Sequence, residues 1–155
     1  MKRIMIAILA FALVLSSALC FPVGAVEIPE ETATYVEYLE NGDRIKTYST
    51  YYETNARAAT KSGSKTREYE TSAGEVMWSV TVYGTFTYNG TTSSCTSSSR
   101  STAAYGSDWS IKSSSASKSG NCATATATAT KKNLFGSQDY TVTVNLYCSP
   151  YGILS

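Results

Sequence analysis

The sequence predicts an all-β protein, an antiparallel two-sheet sandwich, and three observations carry that expectation. Glu75–Tyr88 alternates strictly, with Val76, Trp78, Val80, Val82, Phe86 and Tyr88 on one face and Met77, Ser79, Thr81, Tyr83, Thr85 and Thr87 on the other. Period-two alternation of β-branched and aromatic residues marks a half-buried strand. Turn signals such as Asn41-Gly42 and Asn89-Gly90 then recur between short β-compatible segments, as hairpins require. Finally, no stretch after residue 25 repeats its apolar residues with the helical period of about 3.6. Residues 26–155 hold 21 Ser and 21 Thr, so the solvent faces of such sheets are kept polar by hydroxyls instead of charges.

The elements follow in order. Lys2 and Arg3 precede the apolar run Ile4–Leu19, and Val23 and Ala25 stand where small residues precede a signal-peptidase cut, so residues 1–25 read as a signal helix cleaved after Ala25. The competing readings are a membrane anchor, for which the run is short, and a lipoprotein acylated at Cys20. Residues 26–59 form an acidic, Tyr-rich segment: Thr34–Glu40 and Arg44–Tyr52 read as a hairpin around Asn41-Gly42, with a short helix over Glu30–Leu39 as the alternative. Ala56–Ser64 reads as a linker into a sandwich domain over 60–155. Within that domain the expected strands are Glu75–Tyr88, Thr91–Ser98, Trp109–Ser117, Asn121–Lys131 and Gln138–Cys148. The Ala-Thr strand presents Ala123, Ala125, Ala127 and Ala129 on one face, so large side chains must fill the space opposite, and Trp78 and Trp109 are the candidates. Short strands and a two-sheet core suggest an immunoglobulin-like architecture.

Two registers follow from turn chemistry. A two-residue turn at Asn89-Gly90 pairs Tyr88 with Thr91 and Gly84 with Cys95. A three-residue loop Lys118-Ser119-Gly120, with Gly120 in a bulge, pairs Ile111 with Ala127 and Trp109 with Ala129. Removal of residues 1–25 leaves three cysteines. Cys95 and Cys148 fall on apolar faces and are expected to form a disulfide, whereas Cys122 is in phase with Thr124, Thr126 and Thr128 and is the odd thiol.

Composition excludes several chemistries. The chain has 13 basic and 12 acidic residues, and loss of Lys2 and Arg3 turns its net charge from +1 to −1, which argues against electrostatic capture of nucleic acid. With no histidine there is no Ser-His-Asp triad, Cys-His dyad or His-bearing metal site within the chain. No Gly-x-Ser-x-Gly elbow occurs. Asp108 and Asp139 are the only acids after residue 75, each beside an expected strand end or turn. The expectation is a protein without catalytic residues, cofactor or metal. Asn89-Gly90-Thr91 also matches a glycosylation sequon, although its turn role explains it.

The runs Thr60-Lys61-Ser62-Gly63-Ser64-Lys65, Trp78–Gly90 and Ser115–Asn121 resemble a family of small secreted proteins from Gram-positive, Firmicutes-type bacteria, and the likeness extends over 60–155. That family is uncharacterised, so the resemblance implies an exported β domain and transfers no site residue. A secreted, extracellular binding or cell-envelope interaction module is the leading expectation, with Tyr83 and Tyr105 as surface recognition residues. Its ligand would be a glycan, a wall component or a protein, and no membrane span remains after signal removal. The contrasting readings are a membrane-active β protein, toxin- or bacteriocin-like, and a carboxylate-based hydrolase.

Overall fold

The computed structural model describes residues 30–52 and 59–155. The signal helix, Cys20 and the cleavage site at Ala25 lie outside the described residues. Among the described residues eight strands follow in sequence: β1 Glu30–Tyr38, β2 Arg44–Tyr52, β3 Thr60–Glu70, β4 Val76–Tyr88, β5 Ser93–Ala104, β6 Trp109–Ser119, β7 Cys122–Asn133 and β8 Gly136–Tyr147. β1 to β5 form a five-stranded sheet and β6 to β8 a three-stranded sheet, every neighbour being antiparallel and consecutive in sequence. The protein is all-β and its sheets pack face to face. The meander in each sheet departs from the immunoglobulin-like expectation, because that architecture interleaves distant strands through Greek-key crossings.

The core is the one that alternation predicts. β4 turns Trp78, Val80, Val82 and Phe86 inward against Ala123, Ala125, Ala127 and Ala129 of β7 and Val142, Val144 and Leu146 of β8, all of them buried. At one end Trp78 and Trp109 stack with ring centroids 6.5 Å apart, and Tyr69 and Tyr140 pack on Trp109 at 5.1 and 5.0 Å, filling the room the alanines leave. Towards the other end the sheets close on each other at Gly84. A methyl group there would lie 2.6 Å from the Phe86 ring and 3.0 Å from the Ala123 Cβ. The outer faces are laced by hydroxyl pairs, including Thr66 with Thr81, Thr126 with Thr143 and Thr128 with Thr141.

Several expectations need correction. The N-terminal segment is a hairpin, and β2 goes on to pair with β3, so it belongs to the larger sheet. Residues 60–64, expected as linker, open β3; of the rest of that span, 56–58 lie outside the described residues and only Ala59 precedes the strand within them. At Asn89 the loop has four residues, with Tyr88 opposite Ser93, Gly84 opposite Ser98 and Phe86 opposite Cys95. The cause is the Asn89 side chain, whose Oδ1 accepts from the amides of Thr91 and Thr92 and holds both in the turn. A bulge at Thr96 then keeps Cys95 on the apolar face as expected. At the next hairpin Ser119 pairs with Cys122 around Gly120-Asn121, with Gly120 at φ +55°, and the bulge sits at Lys112 instead. Ile111 accordingly faces Ala129 and Trp109 faces Lys131, which still leaves Trp109 in the core.

The expected Cys95–Cys148 disulfide is not formed; Cys95, Cys122 and Cys148 are free thiols. Each buried thiol is satisfied locally, Cys95 Sγ by the Ser97 carbonyl at 3.2 Å and Cys148 Sγ by that of Ser149 at 3.4 Å. Their placement is as the strand phases require: Cys95 and Cys148 are buried and Cys122 half-buried, opposite Tyr147 on the threonine face.

Candidate functional site: an open cleft beside strand β8

The larger sheet is wider than the sheet that covers it. β3 and β4 pack against β8, but no Cα of β1 or β2 comes within 8 Å of a strand of the smaller sheet. Strand phase sends Tyr35 of β1, Thr47, Ser49 and Tyr51 of β2 and Lys65 and Arg67 of β3 to the same inner face as Val80 and Val82. Where β8 ends the cover, these side chains floor a cleft. Two adjoining hollows, of about 320 and 460 Å³, share Tyr35, Thr47 and Lys65. Thr143, Val144, Asn145 and Tyr147 of β8 wall the first, and Leu154 and Ser155 close the second.

The charges are unevenly tied. Arg67 spans the gap, its Nη2 2.8 Å from Glu37 Oε2 and its Nη1 donating to the Thr143 carbonyl at 3.2 Å. Lys65, half-buried between Ser49 and Val82, makes no hydrogen bond or ion pair among the described residues. Among the described residues the cleft therefore presents the Lys65 ammonium without an ion-pair partner, since Glu37 answers Arg67. Tyr35 is 66% exposed, offering a ring face at the entrance. Asn145 Oδ1 accepts from Thr124 Oγ1 at 2.9 Å, which fixes the amide at the cleft wall. The exposed edge of β8 is partly occupied already, because Tyr147 and Ser155 exchange backbone hydrogen bonds of 2.9 and 3.1 Å.

The recognition residues expected from sequence lie elsewhere. Tyr83, 42% exposed, stands on the outer face of β4, and Tyr105, 62% exposed, is in the β5–β6 loop; neither lines the cleft. The two late aspartates also stand apart from it. Asp139 sits on the outer face of the smaller sheet, where the Lys112 ammonium and the Thr130 hydroxyl hold its carboxyl below the ordinary range. A carboxyl kept ionised in this way is unsuited to donate a proton to a leaving group. Among the described residues no three His, Cys, Asp or Glu side chains converge as metal ligands, and no helix is long and apolar enough to cross a membrane.

Comparison of the chain with protein-family models, with curated proteins and with solved structures finds no match.

Proposed function

We propose that the chain is a secreted, non-catalytic binding module of the cell envelope, cleaved after Ala25 and kin to the small Gram-positive secreted proteins its motifs resemble. Its ligand is an extended anionic glycan of the wall, held in the cleft beside β8. The observation that carries this reading is the uncovered inner face of β1 to β3, where the Tyr35 and Tyr51 rings, the hydroxyls of Thr47 and Ser49 and the Lys65 ammonium, without an ion-pair partner among the described residues, share one open cavity. Tyrosine rings supply flat apolar area to a sugar face while their hydroxyls stay wet. The Lys65 ammonium, which has no ion-pair partner among the described residues, selects an acidic group on the polymer and makes binding sensitive to salt.

Retention on purified cell wall, with and without its acidic polymers, tests the proposal. Lys65→Gln should weaken retention about fivefold, the worth of roughly 1 kcal/mol. Tyr35→Ala, the loss of one stacking ring, should weaken it about three- to tenfold. Retention that ignores both substitutions would refute the cleft, and failure of the parent protein to be retained at all would refute the function.

A further inference from the structure

The hairpin joining β7 to β8 is built against the usual chemistry of turns. Two-residue turns favour Asn, Asp, Gly and Ser, whose backbones take the required angles and whose side chains suit water. Here Asn133 pairs with Gly136 and the two residues between them are Leu134 and Phe135. Each is 98% exposed, the most exposed large apolar side chains among the described residues. Adjacent apolar residues held out at a convex tip lower solubility and contribute nothing to the core.

We propose that this tip is an interfacial anchor that enters the headgroup and upper acyl region of an anionic phospholipid surface. Three features favour lipid as the occupant. The tip protrudes, so both side chains can be buried by a fluid surface without a preformed pocket. Its backbone is partly prepared for a dry environment, because the Phe135 amide donates to Asn133 Oδ1 at 2.9 Å and needs no water there. Lys131 and Lys132 immediately precede the turn, where long cationic side chains reach phosphates while their stems lie along apolar surface. Nearby charges leave the tip cationic. Lys112 is answered by Asp139, and Asp108, whose carbonyl accepts from the Lys132 amide at 2.8 Å, offsets only one of the two remaining lysines. The Lys131 ammonium lies over the Trp109 ring, 5.6 Å from its centroid, and keeps its charge two residues from the turn in sequence. The inference is independent of the cleft and stands or falls without it.

A Phe135→Trp variant of the full chain reads the tip directly, since Trp78 and Trp109 are buried in the core and remain a constant background. With vesicles of mixed phosphatidylglycerol and phosphatidylcholine, the added fluorescence should shift to the blue, become shielded from acrylamide and be quenched by acyl-chain bromine. Insertion of about 5–10 Å would produce all three effects. The apolar run Ile4–Leu19 can itself hold the chain on a vesicle, but it cannot shield a tryptophan at the tip unless the tip enters the bilayer. Leu134→Ser on the same background should abolish the shielding. Lys132→Gln should raise the lipid concentration needed about fivefold. Added fluorescence in the Phe135→Trp variant that is equally open to acrylamide with and without vesicles overturns the anchor, and equal shielding by pure phosphatidylcholine overturns its anionic preference.

Discussion

Adding one methyl group at Gly84 should destabilise the sandwich by about 1–2 kcal/mol, because this is where the two sheets meet with no space for a side chain. A Cβ at Gly84 would sit 2.6 Å from two ring carbons of Phe86 and 3.0 Å from the Ala123 Cβ. Ordinary carbon contacts are about 3.5–4.0 Å, so the ring must retreat by roughly 1 Å within a core where Phe86 and Ala123 are both fully buried. Overpacking of that order costs about 1–3 kcal/mol. Gly84 does not adopt the left-handed backbone, so alanine also restricts the unfolded chain and returns about 0.4–1 kcal/mol. The net loss corresponds to a fall in Tm of roughly 4–8 °C. Urea unfolding followed by tryptophan fluorescence measures it. Phe86→Leu supplies the control: it should cost about 1–2 kcal/mol alone but much less beside Gly84→Ala, a coupling of at least about 1 kcal/mol. A Gly84→Ala protein within about 0.5 kcal/mol of the parent, or strict additivity in the cycle, would refute the reasoning.

The remaining predictions concern ionisation. Burial, then donation to Asp43 Oδ2 at 2.6 Å, pushes Tyr69 from 10.0 up to about 12, and burial with the Glu68 contact does the same for Tyr48. Unfolded tyrosine ionises first, so this stabilisation is whole below pH 10 and is lost as the pH climbs to about 12. A series of Tm values across that window should fall more steeply for the parent than for Tyr69→Phe, and parallel profiles would count against it. Burial likewise pushes the Cys95 and Cys148 thiols up, whereas Cys122 lies half-buried on the outer face. Mass spectrometry of the native protein treated with iodoacetamide should find Cys122 alkylated about tenfold faster than either. Early labelling of Cys148 would mean that its end of the core is open.

How far the sequence could be read depended on whether a strand had one apolar face. β4, β7 and β8 alternate cleanly because each lies over the core, and their expected limits fall within about two residues of the structure. β3 was not among the expected strands because its inner face runs Lys61, Gly63, Lys65 and Arg67 before it reaches Tyr69. With polar residues on both faces it shows no period, and the same polarity makes it the floor of the cleft. Thus the candidate site was hidden by the property that builds it. The registers failed for a related reason. β5 and β6 are serine-rich edge strands, so nothing in their pattern shows where Thr96 and Lys112 bulge out. Burial still selected the correct faces for Cys95 and Trp109, because a strand can slip past a bulge but cannot leave its large apolar groups in water.

The unbroken meander sets the order in which this protein can assemble. Within each sheet every strand bonds to the one made just before it, and the connections throughout are two to seven residues long. A chain emerging amino end first finds the pairing partner already present as each sheet grows, and the loops to be closed are short, which favours rapid zippering for a β protein. The hazard falls at mid-length. When β5 is complete the first sheet is fully paired, yet Val80, Val82 and Phe86 have nothing above them until β7 and β8 arrive. For that interval the nascent protein is an open sheet with a bare apolar face, the state in which it is most exposed to aggregation or capture by a chaperone.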